Sequence, residues 1–136
     1  MKDKAFVDTN ILVYLYSEDE AKKRMLAYDA IEKYDCITST QALTEFTNVC
    51  IKKLHIRAAV ISNSIDEITA ACTVVPVEQE TIKKALELHG KYGYSCYDCL
   101  IIASALTYNC TLLLTEDLKN RHVIENRLTI CNIFSE

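Results

Sequence analysis

The sequence predicts an α/β fold, a three-layer α/β/α sandwich on a central parallel sheet of four to five strands. Three observations carry that expectation. Short apolar, β-branched runs alternate with longer segments whose apolar residues recur at helical spacing, the pattern of parallel crossovers that place helices on both faces of a sheet. The chain has 136 residues, 50% hydrophobic and 25% charged, enough for one domain with a buried core. Only two glycines and one proline occur, which excludes a disordered or linker-rich chain. A single domain over residues 1–136 follows.

Residues 5–8 read as a short buried strand, and residues 10–16 as a short helix capped by Asp8, Thr9 or Asn10. Residues 21–34 form a second helix with Met25, Leu26, Ala30 and Ile31 on its apolar side. A strand over 36–39 leads into a helix over 41–54, which Thr38-x-x-Gln41 opens as a capping box. The next helix, 57–71, places Val60, Ile61, Ile65 and Ile68 on one side. Residues 73–77 are β-branched and end near Pro76. Residues 81–92 are helical and stop at Gly90 and Gly93. A strongly apolar helix, 97–108, precedes strands at 112–115 and 128–133.

The formal charge of −4 argues against a protein held on nucleic acid by bulk positive charge. No apolar run approaches the length of a membrane span, and the start Met1-Lys2-Asp3-Lys4 enters a strand without a signal-peptide core. The expectation is a cytoplasmic protein without membrane partners. Seven cysteines scattered through apolar stretches suit reduced, buried thiols. Cys96-x-x-Cys99 has no second pair to complete a zinc site, and His55, His89 and His122 are isolated. No Gly-rich phosphate loop and no nucleophile elbow is present.

The informative residues are four acids. Asp8 and Asp117 follow strand-like runs, and sites in parallel sheets form outside the carboxyl ends of strands. Glu45 borders an apolar helix face through Ala42 and Val49, and Asp98 faces inward with Ile101, Ile102 and Ala105. Each has an ordinary role open to it: Asp8 a helix cap, Asp98 the acid of a capping box with Ser95, Asp117 a turn initiator, Glu45 a solvated helix residue. Those roles leave unexplained why all four can meet at one pole. Carboxylates are costly to crowd together without a cation, and hard divalent ions favour oxygen ligands. The set therefore points to metal-dependent phosphodiester chemistry.

The motifs around these acids resemble those of PIN-domain ribonucleases. Phe6-Val7-Asp8-Thr9-Asn10-Ile11-Leu12 looks like the family's N-terminal signature, and Gln41-Ala42-Leu43-Thr44-Glu45-Phe46 is similar to its second acidic motif. Tyr97-Asp98-Cys99-Leu100-Ile101-Ile102-Ala103-Ser104-Ala105 resembles the third, and Leu113-Leu114-Thr115-Glu116-Asp117-Leu118 the fourth. The bare single-domain architecture looks most like the VapC-type toxins of toxin–antitoxin pairs. The resemblance implies a PIN-like sandwich and a Mg²⁺- or Mn²⁺-dependent endoribonuclease, dimeric and inhibited by a cognate antitoxin. Asp8, Glu45, Asp98 and Asp117 would be the metal-binding, catalytic acids. Asn10 and Thr115 would support them, and Glu116 competes with Asp117 for the fourth place, which the pattern Thr-x-Asp gives to Asp117.

Lys52, Lys53, Arg57, Lys119, Arg121 and Arg127 are candidates for RNA backbone contacts, or simply solvated surface. The helices over 21–34 and 57–71 are candidates for a dimer or antitoxin-docking face. Two other readings use the same residues: a non-catalytic dimeric interaction module of the same fold, and a metal-dependent DNA or flap nuclease.

Overall fold

The computed structural model describes residues 1–135. The chain runs β1 (Lys4–Val7), α1 (Thr9–Tyr14), α2 (Ala21–Lys33), β2 (Asp35–Ser39), α3 (Thr40–Lys52), α4 (Ala58–Ala71), β3 (Thr73–Val75), α5 (Gln79–Tyr92), α6 (Cys96–Thr107), β4 (Leu112–Leu114), β5 (Val123–Ile124) and β6 (Leu128–Cys131). Six strands form one sheet in the order β3-β2-β1-β4-β6-β5, parallel except for β5. Parallel crossovers step from β1 through β2 to β3 over helices α1–α4. The chain then returns over α5 and α6 to β4, so the two helical layers cover opposite faces.

The central strands carry continuous apolar runs because both faces are covered. Phe6, Leu113, Leu114 and Ile130 are fully buried, in one apolar cluster with Phe46 of α3, Leu88 of α5 and Ile102 of α6. Helix α6 is buried from Ile101 to Leu106 on every side, lying between α5 and the sheet, which accounts for its lack of a polar face. All seven cysteines are free; five are buried, Cys131 is half-buried and Cys96 is exposed.

The structure departs from the sequence reading at identifiable points. Strand β2 continues through Ser39, so the capping box of Thr38 and Gln41 does not form. Ser39 caps α3 instead, its Oγ accepting from Ala42 N at 3.1 Å. Thr38 Oγ1 donates to Val7 O at 2.9 Å and ties β2 to β1. The sheet has one strand more than the four to five expected. Strand β5 is only two residues long, and its turn to β6 is built on Glu125 and Asn126 at φ 51° and 58°, with Arg127 N donating to Ile124 O. Both central residues of that hairpin are left-handed, yet neither is the glycine that marks such turns in sequence. The inward faces of two helices are also narrower than the apolar spacing suggests. Met25 is 66% exposed while α2 buries Ala27 and Ala30, and Val60 is 40% exposed while α4 buries Ile61, Ser64 and Ile68.

Helix α5 runs through Gly90 and stops at Gly93, which adopts φ 78° in the left-handed C-terminal position. A β-carbon would meet nothing within 4 Å at either glycine, so backbone preference alone sets the effect of substitution. Gly90→Ala is expected to stabilise by about 0.5–1 kcal/mol, since glycine in a helix costs that much against alanine. Gly93→Ala is expected to destabilise by about 1 kcal/mol, the penalty of a left-handed alanine. Urea unfolding of both variants checks this; shifts of the same sign would contradict the helix end described here.

Candidate functional site

Asp8 leaves β1 at its carboxyl end and opens α1. Its Oδ1 accepts from Thr9 N at 2.7 Å, which makes it the N-cap of that helix. Its Oδ2 accepts from the Thr115 hydroxyl at 2.8 Å. Thr115 follows β4, the other strand beside the point where the direction of chain progress reverses, where open parallel sheets form their crevice. The backbone holds the two ends in register: Asp8 N donates to Leu114 O and Thr115 N to Cys131 O, both at 3.1 Å.

Around this pair lies a polar web. Asn10 Nδ2 donates to Asp117 Oδ2 at 3.0 Å and to Thr115 Oγ1 at 3.3 Å, while its Oδ1 accepts from Glu116 N. Asp117 N donates to Thr115 Oγ1 at 3.2 Å. Asn10 and Thr115 thus set the positions of Asp8 and Asp117. Across the opening, Glu45 on α3 accepts from Gln41 Nε2 at 2.9 Å. The same amide donates to Tyr97 O at 3.3 Å, tying α3 to the first turn of α6. Ser95 Oγ accepts from Asp98 N and so caps α6 without engaging the Asp98 carboxylate.

Asp8, Glu45, Asp98 and Asp117 all line one cleft of about 390 Å³, together with Thr9, Asn10, Val13, Tyr14, Val49, Lys53, Leu54, Tyr97 and Ile101. Thr115 lies beneath it, fully buried. Glu116 turns away. Lys23 Nζ pairs with it at 2.6 Å and Tyr14 OH donates to it at 2.7 Å, and Lys23 also lies over the rings of Tyr14 and Phe134. Burial works to raise the Glu116 carboxyl, but the bonds from Lys23 and Tyr14 outweigh it and hold the group below its usual range. Of the basic candidates, only Lys53 reaches the cleft; Arg127 instead donates to Leu106 O. Of the other lining residues, Tyr97 opens the third acidic motif and Lys53 is one of the basic candidates, whereas nothing in the sequence singles out Tyr14.

The electrostatics of the four acids are unbalanced. Burial pushes the Asp8 carboxyl up from 3.8 to about 6; the bonds from Thr115 and Thr9 oppose the rise, and the charges of Asp117 and Asp98 add to it. Glu45 is raised by burial, partly offset by Gln41 and reinforced by Asp98. Among the described residues, lysines pair with Glu87, Glu116 and Glu125, but none pairs with any of the four. The acids border the cleft from opposite walls, and no three His, Cys, Asp or Glu side chains among the described residues form a ready-made coordination shell. That spread suits Mg²⁺ or Mn²⁺, which keep several waters and take one or two carboxylates, better than an ion needing a closed protein cage. The all-oxygen donor set fits a hard cation as well.

The sequence matches the PIN domain profile over residues 5–125. The chain belongs to the PIN domain family. No curated protein sequence matches it. Among solved structures, this PIN domain is similar to a chain of a toxin–antitoxin complex from Klebsiella pneumoniae, at 21% identity, TM-score 0.73, covering 97% of this chain and 99% of that one. It is similar to the Mycobacterium tuberculosis sarcin–ricin loop cleaving toxin VapC20, at 21% identity, TM-score 0.64 and 80% and 86% coverage. It also resembles a chain of VapBC2 from Rickettsia felis bound to a promoter DNA fragment, at 18% identity, TM-score 0.68 and 95% and 99% coverage. At these identities the likeness is one of fold, and it confirms the α/β/α sandwich with its central, mostly parallel sheet.

The raised Asp8 carboxyl makes stability depend on pH. A group that holds its proton more tightly when folded contributes stability that is complete below the unfolded value and is lost as pH rises through the folded one, here from about 3.8 to about 6. A shift of that size corresponds to about 3 kcal/mol at most. Asp8→Asn escapes the loss. With chelator present, its melting temperature should therefore gain on the wild type between pH 4 and pH 8. Scanning fluorimetry showing a gap that is constant, or that moves the other way, would contradict the buried-charge account.

Proposed function

We propose that this PIN domain is a metal-dependent endoribonuclease that hydrolyses RNA phosphodiester bonds, and that it is the toxin of a toxin–antitoxin module. The observation that carries the reading is the cleft itself: four acids from four separate segments of the chain, with no cation among the described residues paired to them, beside the carboxyl ends of β1 and β4. Membership of the PIN family supports nuclease chemistry, and the toxin–antitoxin assemblies among its structural neighbours support the partner.

Asp8, Glu45, Asp98 and Asp117 are the proposed metal ligands and catalytic residues, with Mg²⁺ or Mn²⁺ as the cofactor. A bound divalent ion supplies an activated water and charge stabilisation at the phosphate. The chain's own residues do the rest. Thr115 and Thr9 N hold both oxygens of Asp8, so its carboxylate is aimed before any ligand arrives. Asn10 holds Asp117 in the cleft, and Gln41 holds Glu45 on the opposite wall. Asp117 takes the fourth place, since Glu116 is engaged by Lys23 and Tyr14 outside it. The non-catalytic module is less well supported, because a degenerate pocket has no reason to keep four unpaired acids. Action in the cytoplasm follows from the proposed RNA substrate. No helix among the described residues is long and apolar enough to cross a membrane.

For assembly, α2 and α4 remain the proposed docking faces for a second copy or an antitoxin. Exposed Met25, Tyr28 and Val60 lie on them. A pocket of about 140 Å³ between them is lined by Leu15, Tyr16, Tyr28, Ile31 and Ile68. A homodimer is expected; light scattering that shows a monomer at every concentration would remove it.

Three measurements test the chemistry. Mn²⁺ at millimolar concentration should raise the melting temperature of the wild type by mass action, and no shift with the fold intact would count against the metal site. Asp8→Asn should lower cleavage of an RNA oligonucleotide by ~100-fold or more while the protein stays folded; wild-type cleavage by this variant would overturn the assignment. Asp117→Asn should weaken the Mn²⁺ response, whereas Glu116→Gln should lower stability by about 1 kcal/mol, as expected for a half-buried ion pair, and leave the response in place. The reverse pattern would move the fourth ligand to Glu116.

A further inference from the structure

The four acids occupy only part of the cleft. Glu45 and Val49 of α3 and Lys53 at its C-cap all line it, spaced one turn apart, so they form a single stripe. Along about 12 Å of helix the wall passes from a carboxylate to an apolar side chain to an ammonium. On α6, Tyr97 and Ile101 line the cleft one turn apart on either side of Asp98. Tyr97 is 67% exposed, and Leu54, which completes the wall beside Lys53, is 36% exposed. Neither the Tyr97 hydroxyl nor the Lys53 ammonium has a hydrogen-bond partner or ion-pair partner among the described residues, whereas Lys23, Lys84 and Lys91 all do. The backbone carrying Tyr97 is held in place by Gln41, whose amide donates to Tyr97 O.

We infer that this outer wall is a nucleobase subsite. One unpaired base of single-stranded RNA lies on the Tyr97 ring against Val49 and Leu54, and Lys53 meets a backbone phosphate beyond the one facing the acids. This rests on the ribonuclease reading and narrows it to RNA whose bases are free to leave a stack. An aromatic face accepts any base, and a base still paired in a duplex cannot present its face to Tyr97. A chain of net charge −4 needs a local cation to hold the backbone near so many acids, and Lys53 is the one positioned for it. An apolar peptide segment would use the tyrosine as well, but would have no need of an ammonium two turns from the acids.

The test uses the full chain carrying Asp8→Asn, to prevent cleavage, in Mg²⁺ buffer. The probe is a seven-nucleotide oligouridylate with one 2-aminopurine moved through each position, together with the matching abasic oligomers. At one position the parent should quench 2-aminopurine on binding. Adding Tyr97→Ala should abolish that quenching and weaken binding about tenfold, within the range measured for single base–aromatic stacks, while Tyr97→Phe retains both. The abasic oligomer for that position should bind the parent as weakly as the intact one binds Tyr97→Ala, with no further loss on combining the two changes. Lys53→Ala should reduce the slope of log affinity against log salt by about 0.7. Equal losses from Tyr97→Ala on intact and abasic oligomers would overturn the subsite and leave the nuclease reading standing. Failure of the parent to bind any of the oligomers would also overturn the subsite, while cleavage of RNA by the wild type decides the nuclease reading separately.

Discussion

The structure depends on a carboxylate placed where water is scarce. Asp8 is 6% exposed, and a buried charge is tolerated only when its oxygens are bonded. Both are. One bond goes to the first amide of α1 and the other to a hydroxyl 107 residues further along the chain. The first sets the angle at which α1 leaves the sheet, and the second fixes the loop after β4 against the end of β1. Asn10 and Asp117 are in turn arranged around Thr115. The polar end of the domain is organised outward from this one side chain, at the point of the sheet where α/β folds part their helices.

Much of this is legible in the amino-acid sequence because it is local. Asp8 after an apolar strand, Glu45 on an apolar helix edge and Asp98 one turn before Ile101 and Ile102 are all short-range patterns, and those elements lie where the spacing places them. What escapes is what depends on partners distant in sequence. Nothing near Glu116 signals that Lys23 will take it away from the cleft, or that Gln41 will bridge Glu45 and the carbonyl of Tyr97. Thr38 and Ser39 are adjacent hydroxyls with equal claims to cap α3, and the choice falls to the ladder between β1 and β2, which occupies Thr38. Strand β5 is two residues of antiparallel pairing turned by Glu125 and Asn126. Glu125 is held below its usual range, to about 2, first by its bond from Lys91 and then by that from Tyr92. Its left-handed backbone is therefore stabilised by tertiary contacts that no local motif announces.

The two walls of the cleft differ in how firmly their side chains are held. The floor from β1 and β4 is rigid and oxygen-rich, with its positions set by hydrogen bonds. The wall from α3 and α6 adds Glu45, held by Gln41, and Asp98, beside apolar, aromatic and cationic groups with few bonds to hold them.

The 107-residue separation between Asp8 and the hydroxyl that completes its environment has a consequence during synthesis. On a ribosome the chain emerges from its N-terminus, and β1, α1 and α3 are available long before β4. Strand β1 is central, yet one of its two neighbours is formed from the last quarter of the chain, and loop closure of that length precedes any gain from the contacts. Until the segment through β4 has left the exit tunnel, Asp8 lacks the Thr115 bond, Asp117 is not yet in place and the crevice has only one side. A chain released early by premature termination therefore carries its first three acids without the surface that gathers them.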